Sequence, residues 1–311
     1  MSEATSSAAT TIVGVTISER LLAGMVTGHV VDGPILAFPE PRSTDGEDDN
    51  PLIELPADDL ANAISDLVAR VMKGREKELK AVGISLPGYV KNGVVEEAPN
   101  LPQLKGARFR EMVMAGLAAR GMEVPVVPSN DADAIAAGLA SQRGKLDSTI
   151  RVWTLGTGIG FGMYPFTGEV MEGGHSVVSL DDKENYCGCG GRGHLEGIMG
   201  HRAMRLRFLD MEPEEVFEAA NKRSDARCVE FKQLWHKALA AATASSIHFA
   251  GAGKFYLSGY NVRFVDLPML RDYLHQMVKM SSLQSYSMEI VAEDQETRIV
   301  GAAVFAEQAE E

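Results

Sequence analysis

Apolar positions fall into short β-branched runs alternating with stretches of helical spacing. Thr11 to Val31 is apolar and β-branched with glycine interruptions, which predicts two strands joined by a tight turn. Pro39 to Asp49 collects Pro, Ser, Asp and Gly and reads as a solvated loop. After Pro56, with Asp58 and Asp59 in its first turn, a helix carries Leu60, Ile64, Leu67, Val68 and Val71 on one face and ends near Gly74. Leu79 to Leu86 is a buried strand candidate. It runs into the turn pairs Pro87-Gly88 and Asn92-Gly93 and an extended Ala98-Pro99-Asn100-Leu101.

Phe109 to Arg120 reads as a helix and Val124 to Val127 as a short strand. Ala132 to Ser141 is an alanine-rich helix that Asn130 or Asp131 caps. Helices follow over Leu195–Leu209, Pro213–Asn221, Val229–Ala250 and Leu267–Met280, with a strand at Lys254–Leu257. The chain closes with a strand at Met288–Val291 and a helix at Ile299–Ala306. Strands alternate with helices in both halves, which predicts an α/β architecture of two lobes. No internal repeat is visible by direct sequence comparison.

Composition narrows the function classes. With 311 residues, 45% of them hydrophobic, the chain is long enough for two domains with ordinary cores. A formal net charge of −13 argues against a nucleic-acid partner, since a polyanion needs a basic face. Leu21 to Val31 is too short to span a bilayer and is interrupted by Gly24, Gly28 and His29, so no membrane role is expected. Residues 1–11 read as a loose tail without the positive start of a signal peptide, and a cytoplasmic location is the expectation. Three cysteines make no disulfide framework. Two of them form Cys187-x-Cys189 with histidines nearby, which favours a metal.

The chemistry concentrates between Trp153 and Glu196. Gly156-Thr157-Gly158-Ile159-Gly160 lies between strand-like runs, and glycines there let a phosphate approach backbone N–H groups; a tight hairpin gives the same string. His175, Cys187, Cys189 and His194 offer two imidazoles and two thiolates, a donor set suited to tetrahedral structural zinc with no open position. Cys228, His201, His236 and His248 lack such company and read as packing or surface residues. Asp131, after Asn130 at the end of a strand, has the chemistry of a general base toward a hydroxyl; a helix cap is the competing role for the pair. Glu172 and Glu196 bracket the cluster: with a metal pinning the loop they are candidates to accept sugar hydroxyls, and a solvated charge is the competing role.

Together these segments resemble the ROK family of repressors, open reading frames and sugar kinases. Ile84-Ser85-Leu86-Pro87-Gly88-Tyr89-Val90 and Ala98-Pro99-Asn100-Leu101 are similar to its Pro-Gly-x-Val and Ala-Pro-Asn-Leu segments, and Asn130-Asp131-Ala132-Asp133-Ala134 to its Asn-Asp-Ala-Asn-Ala motif. Leu155 to Gly162 resembles its phosphate loop, Glu172 to His175 its Glu-Ile-Gly-His, and Cys187 to Glu196 its Cys-x-Cys-Gly-x-x-Gly-Cys-x-Glu. His194 stands where a third cysteine is usual.

The resemblance implies an actin-like, ribonuclease H-like α/β fold of two lobes with a central cleft. It implies an N-terminal lobe over 12–127 completed by the helix at 299–307, and a C-terminal lobe over 128–298 with a zinc-binding loop at 172–196. It further implies Asp131 as catalytic base and Asn130, Glu172, His175, Glu196, Pro87 and Gly88 at the sugar. Gly156, Thr157, Gly158 and Gly160 would meet the nucleotide phosphates, and His175, Cys187, Cys189 and His194 would hold zinc. A sugar substrate, Mg-ATP as donor and a homodimer complete the expectation.

Two departures fall on the nucleotide side. Where the family has Asp-x-Gly-Gly-Thr, this chain reads Thr16-Ile17-Ser18-Glu19-Arg20, without the aspartate and both glycines. Side chains at Ser18 and Glu19 crowd a polyphosphate, with Arg20 offsetting some of the negative charge. Late in the chain, Leu257-Ser258-Gly259-Tyr260-Asn261 replaces a run of glycines. The expectation is therefore a sugar kinase of glucokinase or N-acetylhexosamine kinase type, with a non-kinase sugar-binding protein as the alternative. A repressor is disfavoured, since those carry a helix-turn-helix where this chain has about a dozen loose residues.

Overall fold

The computed structural model describes residues 10–40, 50–146, 148–168 and 171–309. Residues 1–9 of the expected tail and 41–49 of the expected loop lie outside the described residues. The chain forms two compact units, Met1–Ser148 with Tyr164–Val170 and Asp294–Glu311, and Thr149–Met163 with Met171–Glu293.

In the first unit, β1 (Thr11–Ile17) pairs antiparallel with β2 (Leu21–Thr27), which carries β3 (Val30–Val31) and β4 (Leu36–Phe38). The helix α1 (Ala57–Val71) buries Leu60, Ile64, Leu67 and Val68, as its spacing requires. Strand β5 (Leu79–Leu86) lies parallel to β1. A small hairpin follows, β6 (Tyr89–Lys91) and β7 (Val94–Glu97), turning at Asn92-Gly93. After α2 (Phe109–Ala118), β8 (Val126–Asn130) pairs parallel with β5 and leads directly into α3 (Asp131–Gln142). All seven residues of β1 are buried, as expected for a central strand covered on both faces.

The second unit holds β9 (Ile150–Leu155) and β10 (Ile159–Tyr164), followed by α4 (Leu195–Met199), α5 (His201–Arg207), α6 (Pro213–Lys222) and α7 (Ala226–Ala250). Then come β11 (Lys254–Ser258), α8 (Leu267–Met277) and β12 (Ser287–Ile290). Its sheet has the order β10-β9-β11-β12, with β11 parallel to both β9 and β12. The core of the first unit reads β2-β1-β5-β8 with the same directions. The two units therefore repeat one topology that direct sequence comparison does not reveal. Each has its own core, around Val13, Ile64 and Phe109 in the first and around Trp153, Trp235 and Phe255 in the second.

The last helix, α9 (Gln295–Gln308), belongs to the first unit. It runs over the sheet so closely that a Cβ on Gly83 would lie 1.9 Å from the carbonyl oxygen of Ala302. It also packs its small face, through Gly301, on Ala134 of α3. This packing keeps α3 with the first unit, so the units part at Ser148 rather than at the 127/128 boundary drawn from the sequence. A second departure is the expected helix over 195–209, which breaks at Gly200 (φ −62°, ψ 141°). A Cβ there would stand 2.9 Å from the carbonyl oxygens of both Glu196 and Thr157, so the chain turns away and starts again at His201.

Candidate functional site

In the first unit, the carboxyl ends of parallel strands collect the expected polar residues. Asn130 ends β8 and caps α3, its Oδ1 accepting the N–H of Ala132 at 2.9 Å and of Asp133 at 3.4 Å. Its Nδ2 donates to the Gly88 carbonyl at 3.0 Å, which ties the cap to the turn at Pro87-Gly88. The structure shows the cap, and the same side chain is fixed beside the turn. The half-buried Asp131 carboxylate accepts the N–H of Ala132 at 2.9 Å.

Thr16, Ser85 and Ser129 stand in register across β1, β5 and β8 and are all buried. Ser129 donates to the Ile84 carbonyl at 3.3 Å, whereas the Thr16 hydroxyl has no hydrogen-bond partner among the described residues. The β1–β2 turn closes by a bond from Ser18 N–H to the Arg20 carbonyl at 3.1 Å, with Glu19 exposed. Arg20 donates to the Pro39 carbonyl at 2.7 Å, so its guanidinium already serves the chain itself. This turn carries side chains where a polyphosphate cradle needs bare backbone. It does not fit that role.

In the second unit, His175, Cys187, Cys189 and His194 converge, with donor atoms within 4.8 Å of one another. Backbone pairing makes this possible: Val177 bridges His194, and Leu195 N–H donates to the Ser176 carbonyl at 2.9 Å. The two Nδ1 atoms are 3.3 Å apart and the two sulfurs 3.4 Å. Cys187 lies 3.5 Å from His175 Nδ1, and Cys189 3.2 Å from His194 Nδ1. Tetrahedral zinc, with bonds of about 2.0–2.1 Å to nitrogen and about 2.3 Å to sulfur, spaces its donors by about 3.3–3.8 Å. The four residues fit such an ion in donor type and spacing. Burial pushes the Cys187 thiol up to about 12, a shift that a bound cation reverses because it takes the thiolate. Glu172 reaches to 3.9 Å from His175 Nε2, on the side of the ring away from the cluster.

Glu196 joins this cluster to the glycine loop. Its Oε1 lies 3.5 Å from Cys187 Sγ, and its Oε2 accepts the N–H of Ile159 at 3.1 Å. The loop itself is the hairpin between β9 and β10, closed from Gly156 N–H to the Gly158 carbonyl at 3.0 Å. This bond repeats that of the β1–β2 turn. The Gly156 carbonyl accepts from Asn261 Nδ2 and from the backbone of His201, each at 3.0 Å. His201 Nδ1 and Asn261 Oδ1 are 3.2 Å apart. The Tyr260 hydroxyl is 3.1 Å from Thr157 Oγ1. Gly160 N–H donates to Thr154 Oγ1 at 3.1 Å.

His201 therefore belongs to the loop rather than to indifferent surface, and Tyr260 and Asn261, read from sequence only as a lost glycine run, hold it. The signal that finds His201 is the small Gly200 before it. Of the other three set aside, His236 and Cys228 are buried in the core and His248 is exposed on α7.

Residues 49–309 match the sequence profile of the ROK family. The chain belongs to the ROK family. A glucokinase from Pyrobaculum calidifontis is 29% identical over 191 residues, 57% of this chain and 61% of that protein, so the match spans less than two thirds of the relative. An N-acetylmannosamine kinase from Haemophilus influenzae is 26% identical over 263 residues, covering 81% of this chain and 85% of the relative. Among solved structures, a ROK hexokinase from Thermus thermophilus superposes with a TM-score of 0.74 at 20% identity, covering 96% of this chain and 99% of the hexokinase. The fold of this ROK protein is thus the actin-like one. No helix among the described residues is long and apolar enough to cross a membrane.

Proposed function

We propose that this ROK protein is a carbohydrate kinase for a hexose or N-acetylhexosamine, with Asp131 accepting the proton of the attacking hydroxyl. The observation that carries the reading is the Asn130 side chain, which caps α3 beside Asp131 and is bonded to Gly88. That arrangement holds a carboxylate at the end of a parallel strand, where α/β sheets place ligand-binding residues. Asn130, Pro87, Gly88, Glu172, His175 and Glu196 are the residues this reading assigns to the sugar. His175, Cys187, Cys189 and His194 hold a structural zinc that fixes the segment carrying the last two sugar ligands. Mg-ATP would supply the phosphoryl group, with Gly156, Thr157, Gly158 and Gly160 as its remaining phosphate element. The glucokinase and N-acetylmannosamine kinase relatives support a sugar as the acceptor. A homodimer in the cytoplasm completes the reading.

A second reading has its own observation. Thr16 stands where the family has an aspartate and the β1–β2 turn carries Ser18 and Glu19, which supports sugar binding without ATP turnover. The test is incubation of the full chain with ATP·Mg and a panel of hexoses and N-acetylhexosamines, read by phosphorus NMR. Sugar phosphate formed by the wild type and lost in Asp131→Asn supports the kinase. Sugar-induced thermal stabilisation without any sugar phosphate supports the second reading.

A further inference from the structure

The bare faces of Gly156 and Gly158 are already filled from within the chain. A Cβ on Gly158 would lie 2.5 Å from Glu196 Oε2, so a carboxylate occupies the place where an incoming anion would meet that glycine. On Gly156 the corresponding place belongs to Tyr260, whose ring carbon Cε1 would stand 3.4 Å from a Cβ. The ring is anchored at its tip by the Thr157 hydroxyl, and the His201 ring meets it edge-on at 5.4 Å between centroids. Gly259 turns the chain into this position with φ +96°, and a Cβ there would lie 2.5 Å from the Leu155 carbonyl oxygen. Asn261, fully buried, fastens the same segment to Gly156. Tyr260 itself remains 41% exposed, which leaves it a path to swing outward.

We infer that Tyr260 is a gate on the glycine loop: with its hydroxyl on Thr157 the ring covers Gly156, and a phosphate chain reaches the loop only after that contact opens. The inference rests on reading the loop as a phosphate element. It makes Tyr260, together with Thr157, the residue pair that sets which phosphorylated ligand this protein accepts, since each ligand must bring enough interaction to displace the ring. A loop of backbone N–H groups binds anions through close approach, and a ring in van der Waals contact with the glycine prevents that approach.

The test is calorimetric titration of the full chain with tripolyphosphate and, separately, ATP·Mg, using the wild type, Tyr260→Ala, Tyr260→Phe and Thr157→Val. The gate predicts that Tyr260→Ala binds both ligands at least tenfold tighter than the wild type, a gain of about 1.4 kcal/mol. Tyr260→Phe and Thr157→Val, which keep the ring or the backbone and remove only the latch, shift in the same direction by a smaller factor. Thr157→Val keeps the test intact if the alanine variant unfolds. Unchanged affinity overturns the inference, as does the absence of binding by every variant. Weaker binding in Tyr260→Ala also overturns it, because the ring would then be a stacking platform. The readout is anion binding alone, so a failure to phosphorylate sugars leaves this result standing.

Discussion

Glu196 links Cys187 to Ile159: one carboxylate oxygen lies 3.5 Å from the thiol sulfur and the other accepts the Ile159 N–H at 3.1 Å. The metal cluster and the glycine loop are therefore not separate features of the second unit. A disturbance of the cluster is expected to reach the loop through this carboxylate.

Removal of one ligand is expected to show this. The wild type is expected to carry one zinc per chain by metal analysis, and Cys187→Ser should lose it and lower Tm by about 6–12 °C, corresponding to about 3 kcal/mol. His194→Cys should retain the metal, because thiolate and imidazole are interchangeable ligands at a closed tetrahedral site. Zinc content unchanged in Cys187→Ser would refute the assignment of that residue.

The cap on α3 separates stability from chemistry. Asn130→Ala leaves the N–H groups of Ala132 and Asp133 without their acceptor and should cost about 1 kcal/mol in denaturant unfolding. Asp131→Asn retains an oxygen for Ala132 N–H and should stay within about 0.5 kcal/mol of the wild type while abolishing sugar phosphorylation. Equal losses of stability in the two variants would place both residues in a purely structural role.

Acid sensitivity should arise in the core of the second unit. His236 is fully buried, lies 2.7 Å from the Lys232 carbonyl through Nδ1 and accepts the Asp266 N–H through Nε2 at 2.8 Å. Burial depresses it from its ordinary 6.5 to about 4. Above pH 6.5 both folded and unfolded chains hold it neutral. Below that, only the unfolded chain takes the proton, so stability falls by about 3 kcal/mol as pH drops from 6.5 to 4. The Asp266 carboxyl, held below 3.8 by the Lys232 ammonium, titrates under this window. Unfolding free energies measured from pH 7 to 4 check the slope, and His236→Gln should flatten it.

The sheet of the first unit tolerates no side chain at Gly83. Gly83→Val drives a branched side chain into the Ala302 carbonyl and should cost about 3 kcal/mol or leave the protein insoluble. Recovery of soluble protein with wild-type Tm would contradict the close approach of α9.

Much of this was legible in the sequence because local patterns carried it. The spacing of Leu60, Ile64, Leu67 and Val68 marks α1, and four ligand-type residues in a short glycine-rich segment mark the metal cluster before any contact is known. The repeated topology was not legible, because strand order and direction reside in backbone pairing that diverged sequences share without similarity. The break at Gly200 needs the Thr157 carbonyl, and the Tyr260–Thr157 contact joins residues 103 apart. The unit boundary depends on α9 packing against α3, a contact between the end of the chain and its middle.

The central claim is that the chain retains its sugar-binding residues while the phosphate side is altered. Calorimetric titration of hexoses and N-acetylhexosamines into the full chain, in buffer supplemented with zinc, tests it most directly. The account predicts saturable binding of at least one sugar by the wild type, weakened at least tenfold in Glu172→Gln and in Asn130→Ala. No heat with any sugar of the panel, or binding indifferent to both substitutions, would contradict it.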